Sequence, residues 1–283
     1  MVINRDFLFA FCCLLLAMVT IQSGASIAKQ LFPHVGPEGT TAYRLGFSAI
    51  ILWLVFRPWR KLPTNWRPIL IYGLCLGGMN ITFYFALERI PLGVAVALEF
   101  TGPLAVALFS SSRKRDYIWV VFALIGILLL LPDITKVDGL DPVGVLLALV
   151  AGACWAGYIL FGKQSGSQGS GGVTVALGMT VAALFLVPAG AISQGQALLN
   201  WELIPLGIMI GLLSSALPYS LEMVALRNMP AQGFSIMMSL EPAIATIAGL
   251  FILGEVLNFW QSLAIVMVII ASLGSSLTGQ KAA

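Results

Sequence analysis

The chain has 283 residues, of which 59% are hydrophobic and 10% are charged, and its mean hydropathy is +0.97. Soluble domains carry about 25% charged residues, so this composition cannot cover a water-facing surface and excludes a soluble globular fold. The formal net charge of +3 is small and does not indicate nucleic-acid binding. The composition predicts an all-α integral membrane protein.

Ten apolar runs are candidates for membrane-spanning helices, which need about 20 residues. They are too long and too uniformly apolar for barrel strands, which have about 10 residues of alternating polarity. The first run also resembles a signal peptide, but it continues past Gln22 without a clear cleavage site, so we expect it to be retained. In chain order the runs cover 7–28, 40–56, 69–87, 92–111, 117–132, 142–161, 173–194, 203–224, 233–253 and 260–278.

Lysine and arginine are unequally distributed between the connections. With a cytoplasmic N-terminus, the outer side holds three of them, Lys29, Arg89 and Lys136. An excess of positive charge is typical of cytoplasmic loops, so we expect both termini in the cytoplasm. The eleven residues on that side are Arg5, Arg57, Arg60, Lys61, Arg67, Arg113, Lys114, Arg115, Lys163, Arg227 and Lys281.

The second half of the chain repeats features of the first. ALERIP at 86–91 and ALRNMP at 225–230 each precede another proline by twelve residues, Pro103 and Pro242. A constant offset of 139 superposes both pairs, which predicts two repeats of five helices each.

The predicted repeats cover residues 1–136 and 137–283. A unit with an odd number of helices ends on the opposite side of the membrane, so the second repeat is inverted relative to the first. Inverted repeats are typical of secondary transporters, which bind substrate near the bilayer midplane.

Glu99 is the most informative polar residue within a predicted span. A charge at the bilayer centre costs at least about 2.5–3.5 kcal/mol, so such residues normally face a cavity or a partner. Pro103 cannot donate a hydrogen bond to the Glu99 carbonyl. A carboxylate beside that carbonyl suits an ammonium group or a proton relay. The alternative is a kinked helix with Glu99 held neutral in a dry interior.

Other residues within the spans are further candidates. Arg44 either contacts substrate or extends its head group to the outer interface, four residues from the start of its span. Asn80 and Tyr84 share a helical face with Gly73 and Gly77, and they either contact substrate or bond between helices. The remaining substrate-contact candidates are Gln22, Trp155, Tyr158 and Tyr219, although each aromatic ring also suits plain packing.

Glu222 and Glu241 join Glu99 as candidates for proton coupling, and Pro218 and Pro242 join Pro103 as predicted helix breaks. Pro218 removes the helical donor from the carbonyl of Ser214. The acids are not repeated between the halves, which suits a substrate with two different ends. At the equivalent positions Glu99 maps onto Met238, Glu241 onto Gly102 and Glu222 onto Phe83.

Neither a catalytic motif nor a nucleotide-binding loop is recognisable, and no cofactor or metal site is predicted. Any pumping must then use an ion gradient, and the buried carboxyls favour protons. We expect His34 in a loop, and we expect the four cysteines to be small buried side chains rather than ligands or disulfides. The cysteines are Cys12, Cys13, Cys75 and Cys154.

Several stretches resemble the EamA-type drug/metabolite transporter superfamily, and within it bacterial inner-membrane exporters of threonine and homoserine. The resemblance implies a ten-helix carrier for small amino acids that exchanges them for protons, without assigning individual roles to Glu99, Pro103, Glu222, Glu241 or Pro242. The stretches are IPLGVAVALEFTGPLAVALFSS (90–111), AGACWAGYIL (151–160), LPYSLEMVAL (217–226), MSLEPAIA (238–245) and LGE (253–255).

Two other interpretations remain open. The same fold could carry aromatic amino acids, drugs or another metabolite, which the aromatic residues near the predicted midplane permit. A membrane enzyme or a passive channel is the third interpretation. The missing catalytic motifs argue against the enzyme, and the inverted repeats with unrepeated acids argue against the channel.

Overall fold

The computed structural model describes residues 5–28, 31–87, 89–90, 92–111, 114, 116–130, 141–168, 170–241, 244 and 259–279, and within these ranges it is helical without strands. The α-helices with described bounds are α1 (Arg5–Ala28), α2 (Phe32–Phe56), α3 (Arg67–Leu87), α4 (Leu92–Glu99), α5 (Thr101–Phe109), α6 (Asp116–Leu130), α7 (Pro142–Gln168), α8 (Gly171–Gln194), α9 (Ile204–Gly211), α10 (Leu217–Asn228), α11 (Ala231–Met238) and α12 (Phe259–Gly279). Short 3₁₀ turns cover Pro58–Arg60, Gly195–Leu199 and Trp201–Leu203, and a π-helical segment covers Leu212–Ala216.

Five helices, α1, α3, α6, α8 and α12, begin and end within two residues of the predicted spans. Two others are longer than predicted. Helix α7 continues to Gln168, and α2 begins at Phe32, so the prediction of His34 in a loop is wrong. The chain passes from the first turn into the rest of α2 through a kink at Gly36, whose φ of 59° and ψ of −179° are accessible to glycine. Pro37 then restarts the helix.

Two predicted spans are interrupted. The run 92–111 forms two short helices, α4 and α5, separated at Phe100. Pro103 explains the break, because it has no N–H for the carbonyl of Glu99. The run 203–224 consists of α9, the π-helical segment and α10, with Pro218 one residue into α10. Pro242 and most of the run 233–253 lie outside the described residues.

Five described helical stretches are long and apolar enough to cross a membrane: Pro33–Phe56, Arg67–Ala86, Pro142–Ser167, Gly171–Leu199 and Trp201–Asn228. Shorter apolar helices cover Leu8–Ile21, Asp116–Leu129 and Ser262–Ala271. The chain is therefore a helical multi-pass membrane protein. Ten spans, the two inverted repeats and cytoplasmic termini stay predictions.

The chain divides into two compact units, and each is described by itself. Unit 1 comprises residues 1–78 and 161–228, and unit 2 comprises residues 79–160 and 229–283. Both units combine residues from the two predicted repeats, and the segment 79–160 of unit 2 crosses the predicted boundary between them. In unit 1, α2 packs on α8 and α1 packs on α10, whereas in unit 2, α6 packs on α12 and α5 packs on α11.

The cysteine prediction is correct for Cys13, which is buried, but wrong for Cys12, which is exposed; Cys75 and Cys154 are half-buried. Cys12 lies on the outer face of α1 with Leu8, Leu16 and Val19, each about half exposed. These positions are three or four apart and share a helical stripe. A cysteine on such a stripe acts as one more apolar side chain toward lipid.

A lysine of α7 bonds to the end of α10 in unit 1. The ammonium of Lys163 donates a hydrogen bond of 3.1 Å to the carbonyl of Arg227, near the C-terminus of α10. A lysine at this place satisfies one of the terminal carbonyls and complements the helix dipole. The contact ties the last turns of α7 to those of α10.

In unit 2, Asp141 caps α7 and forms an ion pair. Its Oδ1 accepts a 2.8 Å hydrogen bond from the backbone N–H of Val143, and its Oδ2 lies 3.0 Å from Nη1 of Arg89. The hydrogen bond from Val143 and then the one from Arg89 hold the pKa of Asp141 below its usual value. Both interactions fix the start of α7 against the connection after α3.

We expect Asp141→Ala to lower the thermal unfolding temperature of the purified chain in detergent near pH 7, and to do so more than Arg89→Gln. A carboxyl whose folded-state pKa is depressed stabilises the protein above its unfolded pKa, about 3.9, and this contribution is lost as the pH falls through the folded pKa. The difference between wild type and Asp141→Ala is therefore complete above about pH 4 and shrinks below it. A difference that stays constant down to pH 2 would contradict the capping role.

Candidate functional site

Glu99 is the last residue of α4 and is buried, with 9% of its surface exposed. The turn that follows it is held by short local bonds. The hydroxyl of Thr101 donates to the carbonyl of Leu98 at 2.5 Å, and the N–H of Leu104 donates to the carbonyl of Phe100 at 3.2 Å. The break thus fixes the backbone on both sides of the acid.

Helix α7 approaches this break so closely that only glycine fits. A Cβ atom at Gly152 would lie 2.6 Å from the carbonyl oxygen of Glu99, and one at Gly102 would overlap the carbonyl of Gly152. Small residues at helix interfaces permit this kind of backbone approach. The backbone of α7 is therefore set directly against the carbonyl that Pro103 deprives of its helical donor.

An aromatic pair lies at the same break. The ring of Trp155, one turn after Gly152 on α7, meets the ring of Phe100 edge to face, with the ring centroids 5.2 Å apart. Trp155 is buried and Phe100 is almost completely so. The surroundings of Glu99 in unit 2 thus combine a carboxyl, backbone oxygen and aromatic surface.

The other candidates in unit 2 differ in burial. Asn80 and Tyr158 are buried, at 6% and 0% exposure, and Tyr84 is half-buried with its ring 6.4 Å from that of Phe83. Glu241 is half-buried. Asn80 and Tyr84 lie four residues apart on α3, which keeps them on one helical face as predicted.

In unit 1 the central feature is the guanidinium of Arg44. Its Nε donates to the hydroxyl oxygen of Ser215 at 2.7 Å, and its Nη2 donates to the phenolic oxygen of Tyr219 at 3.1 Å. Because α2 begins at Phe32, Arg44 is near the middle of this 25-residue helix. Its placement four residues into a span is therefore wrong, and its partners fix its head group within unit 1 instead of leaving it at the helix end.

The π-helical segment explains how both hydroxyls reach Arg44. Pro218 cannot donate to the carbonyl of Ser214, and the extra residue of a π turn re-aims the side chains of this stretch. Ser215 is completely buried, and Tyr219 follows one turn later. Glu222, buried at 2% exposure, lies on the same side of α10 as Tyr219.

Sequence reasoning identified Arg44 and Tyr219 but missed Ser215, Phe100 and the glycine contact of α5 with α7. A serine four or fewer residues before a proline in an apolar run was the available signal for Ser215. Gln22 lies in α1, but its side chain is outside what the structure describes. The structure thus places Arg44 with Tyr219 in unit 1 and Glu99 with Trp155 in unit 2.

Apolar helices interrupted at prolines, with buried acids and an arginine within a helix, define a polytopic membrane protein that carries ionisable groups inside its helices. The model of the EamA-like transporter family matches residues 8–131 and 142–277. The chain belongs to this family, which confirms the resemblance found in the sequence.

Several similar proteins are named threonine/homoserine exporter RhtA. The one from Escherichia coli (strain K12) is 53% identical over 270 residues, which is 95% of this chain and 91% of that protein. The one from Salmonella typhimurium (strain SL1344) is 53% identical over 267 residues, covering 94% and 90%. A Bacillus subtilis protein named as the transporter YwfM is 29% identical over 272 residues, covering 88% of this chain and 90% of that one.

A solved crystal structure shares the fold. It superposes with a TM-score of 0.78 over 96% of this chain and 98% of that one, at 15% sequence identity. At this identity the likeness concerns the backbone arrangement alone.

We expect Gly102→Ala to reduce the yield of folded protein and its unfolding temperature, because the added methyl meets backbone that has no rotamer to change. Overpacking of this kind costs about 1–3 kcal/mol. Gly233→Ala is the matched control, since no described atom lies within 4 Å of a Cβ there. Size-exclusion profiles and thermal unfolding in detergent measure both, and equal behaviour of the two variants would contradict the backbone contact.

Proposed function

We propose that the chain is a secondary active exporter of small neutral amino acids, of the threonine and homoserine type, in a bacterial inner membrane. The observation that carries this proposal is the 53% identity, over 95% of the chain, to a protein named for those two substrates. The buried charged residues in two proline-interrupted regions add physical support, because intramembrane ionisable groups are normally functional.

Each end of an amino acid has a counterpart among the candidate residues. For the ammonium, the proposed contacts are the carboxyl of Glu99 and the nearby backbone oxygens, since charge-assisted bonds to these acceptors are strong. For the carboxylate, the proposed contacts are the donors of Asn80 and Tyr84, which belong to the same unit as Glu99. In unit 1, the guanidinium of Arg44 is a separate candidate, because its planar fork matches a carboxylate.

Proton antiport is the proposed energy source, with alternating access as the transport cycle. Protonation of Glu99 removes the negative charge that holds an ammonium, so a proton entering from outside favours substrate release. Glu222 and Glu241 are the other acids proposed to take part in coupling.

Export of an aromatic amino acid, or of another flat apolar metabolite, is the second candidate function. The edge-to-face pair of Phe100 and Trp155 beside Glu99 favours it, because aromatic surface stacks on aromatic ligands.

A competition experiment distinguishes the two classes of substrate. Unlabelled homoserine is expected to reduce threonine efflux from vesicles, whereas phenylalanine and tryptophan are expected to leave it unchanged.

In vesicles reconstituted with the purified chain and loaded with labelled threonine, we expect saturable efflux that accelerates when the external side is made acidic. Proton entry down this gradient is the driving force of antiport. Collapse of the gradient with a protonophore is expected to return efflux to its rate without a gradient. An efflux rate that does not depend on the gradient would contradict proton coupling but not the proposal of export.

We expect Glu99→Gln to reduce threonine efflux at least tenfold, since hydrogen bonds to charged groups contribute about 1.5–3 kcal/mol. The amide keeps the shape of the side chain but cannot carry the charge. Glu202→Gln makes the same chemical change at an exposed position in a 3₁₀ turn and is expected to leave efflux unaltered. Wild-type transport by Glu99→Gln would exclude Glu99 as the ammonium contact.

A further inference from the structure

A cavity of about 180 Å³ lies wholly within unit 1, between the connection after α2 and the turn that joins α7 to α8. Its volume is several times the roughly 30 Å³ that one water molecule occupies in the liquid. None of the residues that line it is acidic, and each of its polar side chains carries a group that can donate a hydrogen bond. Its polar lining consists of Lys61, Thr64, Asn65, Ser165, Ser170 and Thr174.

Ser165 is the residue that points most directly to a ligand. It is only 4% exposed, and its hydroxyl has no hydrogen-bond partner in the part of the chain that the structure describes. A buried hydroxyl without a partner costs about 1–3 kcal/mol. Thr174, by contrast, already donates to the carbonyls of Ser165 and Ser170, at 3.4 and 3.3 Å.

The N-terminus of α8 opens at the same place. Ser170 precedes this 24-residue helix and makes no side-chain cap, so its hydroxyl does not take up the first N–H groups. A helix N-terminus carries partial positive charge and attracts anions. A Cβ atom at Gly171 would lie 3.2 Å from Nη1 of Arg227, so a guanidinium adjoins the first turn as well. The hydroxyl groups, the helix N-terminus and the guanidinium together favour the binding of an anion.

The segment that carries Lys61 has the composition of a membrane interface. Trp59, Leu62 and Trp66 are 52%, 62% and 41% exposed, and basic residues stand between them. Exposed tryptophans beside lysine and arginine are typical of the level of lipid head groups. An anion that reaches this cavity in a cell is therefore best supplied by the bilayer itself.

We propose that this cavity binds the phosphate group of an anionic membrane phospholipid, with Lys61, the Ser165 hydroxyl and the first turn of α8 as its donors. The lipid would join the connection after α2 to the α7–α8 turn and stabilise unit 1, because any ligand that binds only the folded state does so. None of the proposed substrate contacts lines this cavity, so the lipid site does not depend on the transported substrate.

Native mass spectrometry of the full chain, released from detergent, tests the proposal with three probes. These are phosphatidylglycerol, the diacylglycerol with the same acyl chains, and inorganic phosphate. We expect phosphatidylglycerol to stay bound and diacylglycerol to be lost. We expect inorganic phosphate to compete only at far higher concentration. Equal retention of both lipids would overturn a phosphate site, and equal potency of inorganic phosphate would overturn its lipid source.

Matched variants separate this site from general attraction to basic surface. Lys61→Gln is expected to weaken phosphatidylglycerol binding about tenfold, the size of a lost charge-assisted bond. Arg60→Gln removes one charge from the adjacent exposed position, which does not line the cavity, and is expected to change binding less than twofold. Equal losses in the two variants would overturn the proposal.

Ser165→Leu fills the cavity and is expected to abolish binding, while Ser165→Ala weakens it. Thermal unfolding without lipid shows whether each variant is folded. Added phosphatidylglycerol is expected to raise the unfolding temperature of wild type and of Arg60→Gln, but not of Ser165→Leu. A Ser165→Leu chain that is folded and still stabilised by the lipid would contradict the site.

Discussion

A backbone carbonyl that loses its helical donor inside an apolar helix determines where the polar chemistry of this chain is placed. Hydrocarbon offers no replacement donor, so such an oxygen must be enclosed by protein or face a polar cavity. Pro103 and Pro218 each create this situation. In both places the helix changes, to a break at Phe100 and to the π-helical segment Leu212–Ala216. Glu99 and the partners of Arg44 lie at these two interruptions.

The two interruptions are stabilised in different ways. At Phe100 the backbones of α5 and α7 pack directly against each other beside the Glu99 carbonyl, because Gly102 and Gly152 have no side chains to separate them. Near Pro218 the stabilising interaction is polar, because Ser215 and Tyr219 accept hydrogen bonds from Arg44. A guanidinium held by two hydroxyls keeps its direction and its charge, since arginine does not lose its proton in proteins. Each unit therefore carries its own fixed polar feature.

Hydropathy predicted the helical class and most helix ends, because apolar length is set by the membrane and recorded residue by residue. Hydropathy did not predict the helix bounds where local sequence preferences and tertiary structure disagree. The sequence predicts a loop at Gly36 and Pro37, yet both residues lie within α2. The sequence identified Glu99 because an acidic side chain in lipid is energetically unfavourable. It did not identify Ser215, because the role of this serine depends on its contact with Arg44 on another helix. Prolines recur at a constant offset of 139 along the sequence, but no pattern along one chain shows which glycines are in contact.

Helix α7 is longer than the hydrocarbon layer of a membrane. Its 27 residues extend about 40 Å at 1.5 Å per residue, whereas the hydrocarbon layer is about 30 Å thick. A helix that exceeds this thickness must tilt or protrude. The last seven residues of α7, GKQSGSQ at 162–168, are polar or glycine, so the excess length lies at this end. The chain therefore carries a rigid helical extension beyond the acyl chains, and its height above them depends on the thickness of the host membrane.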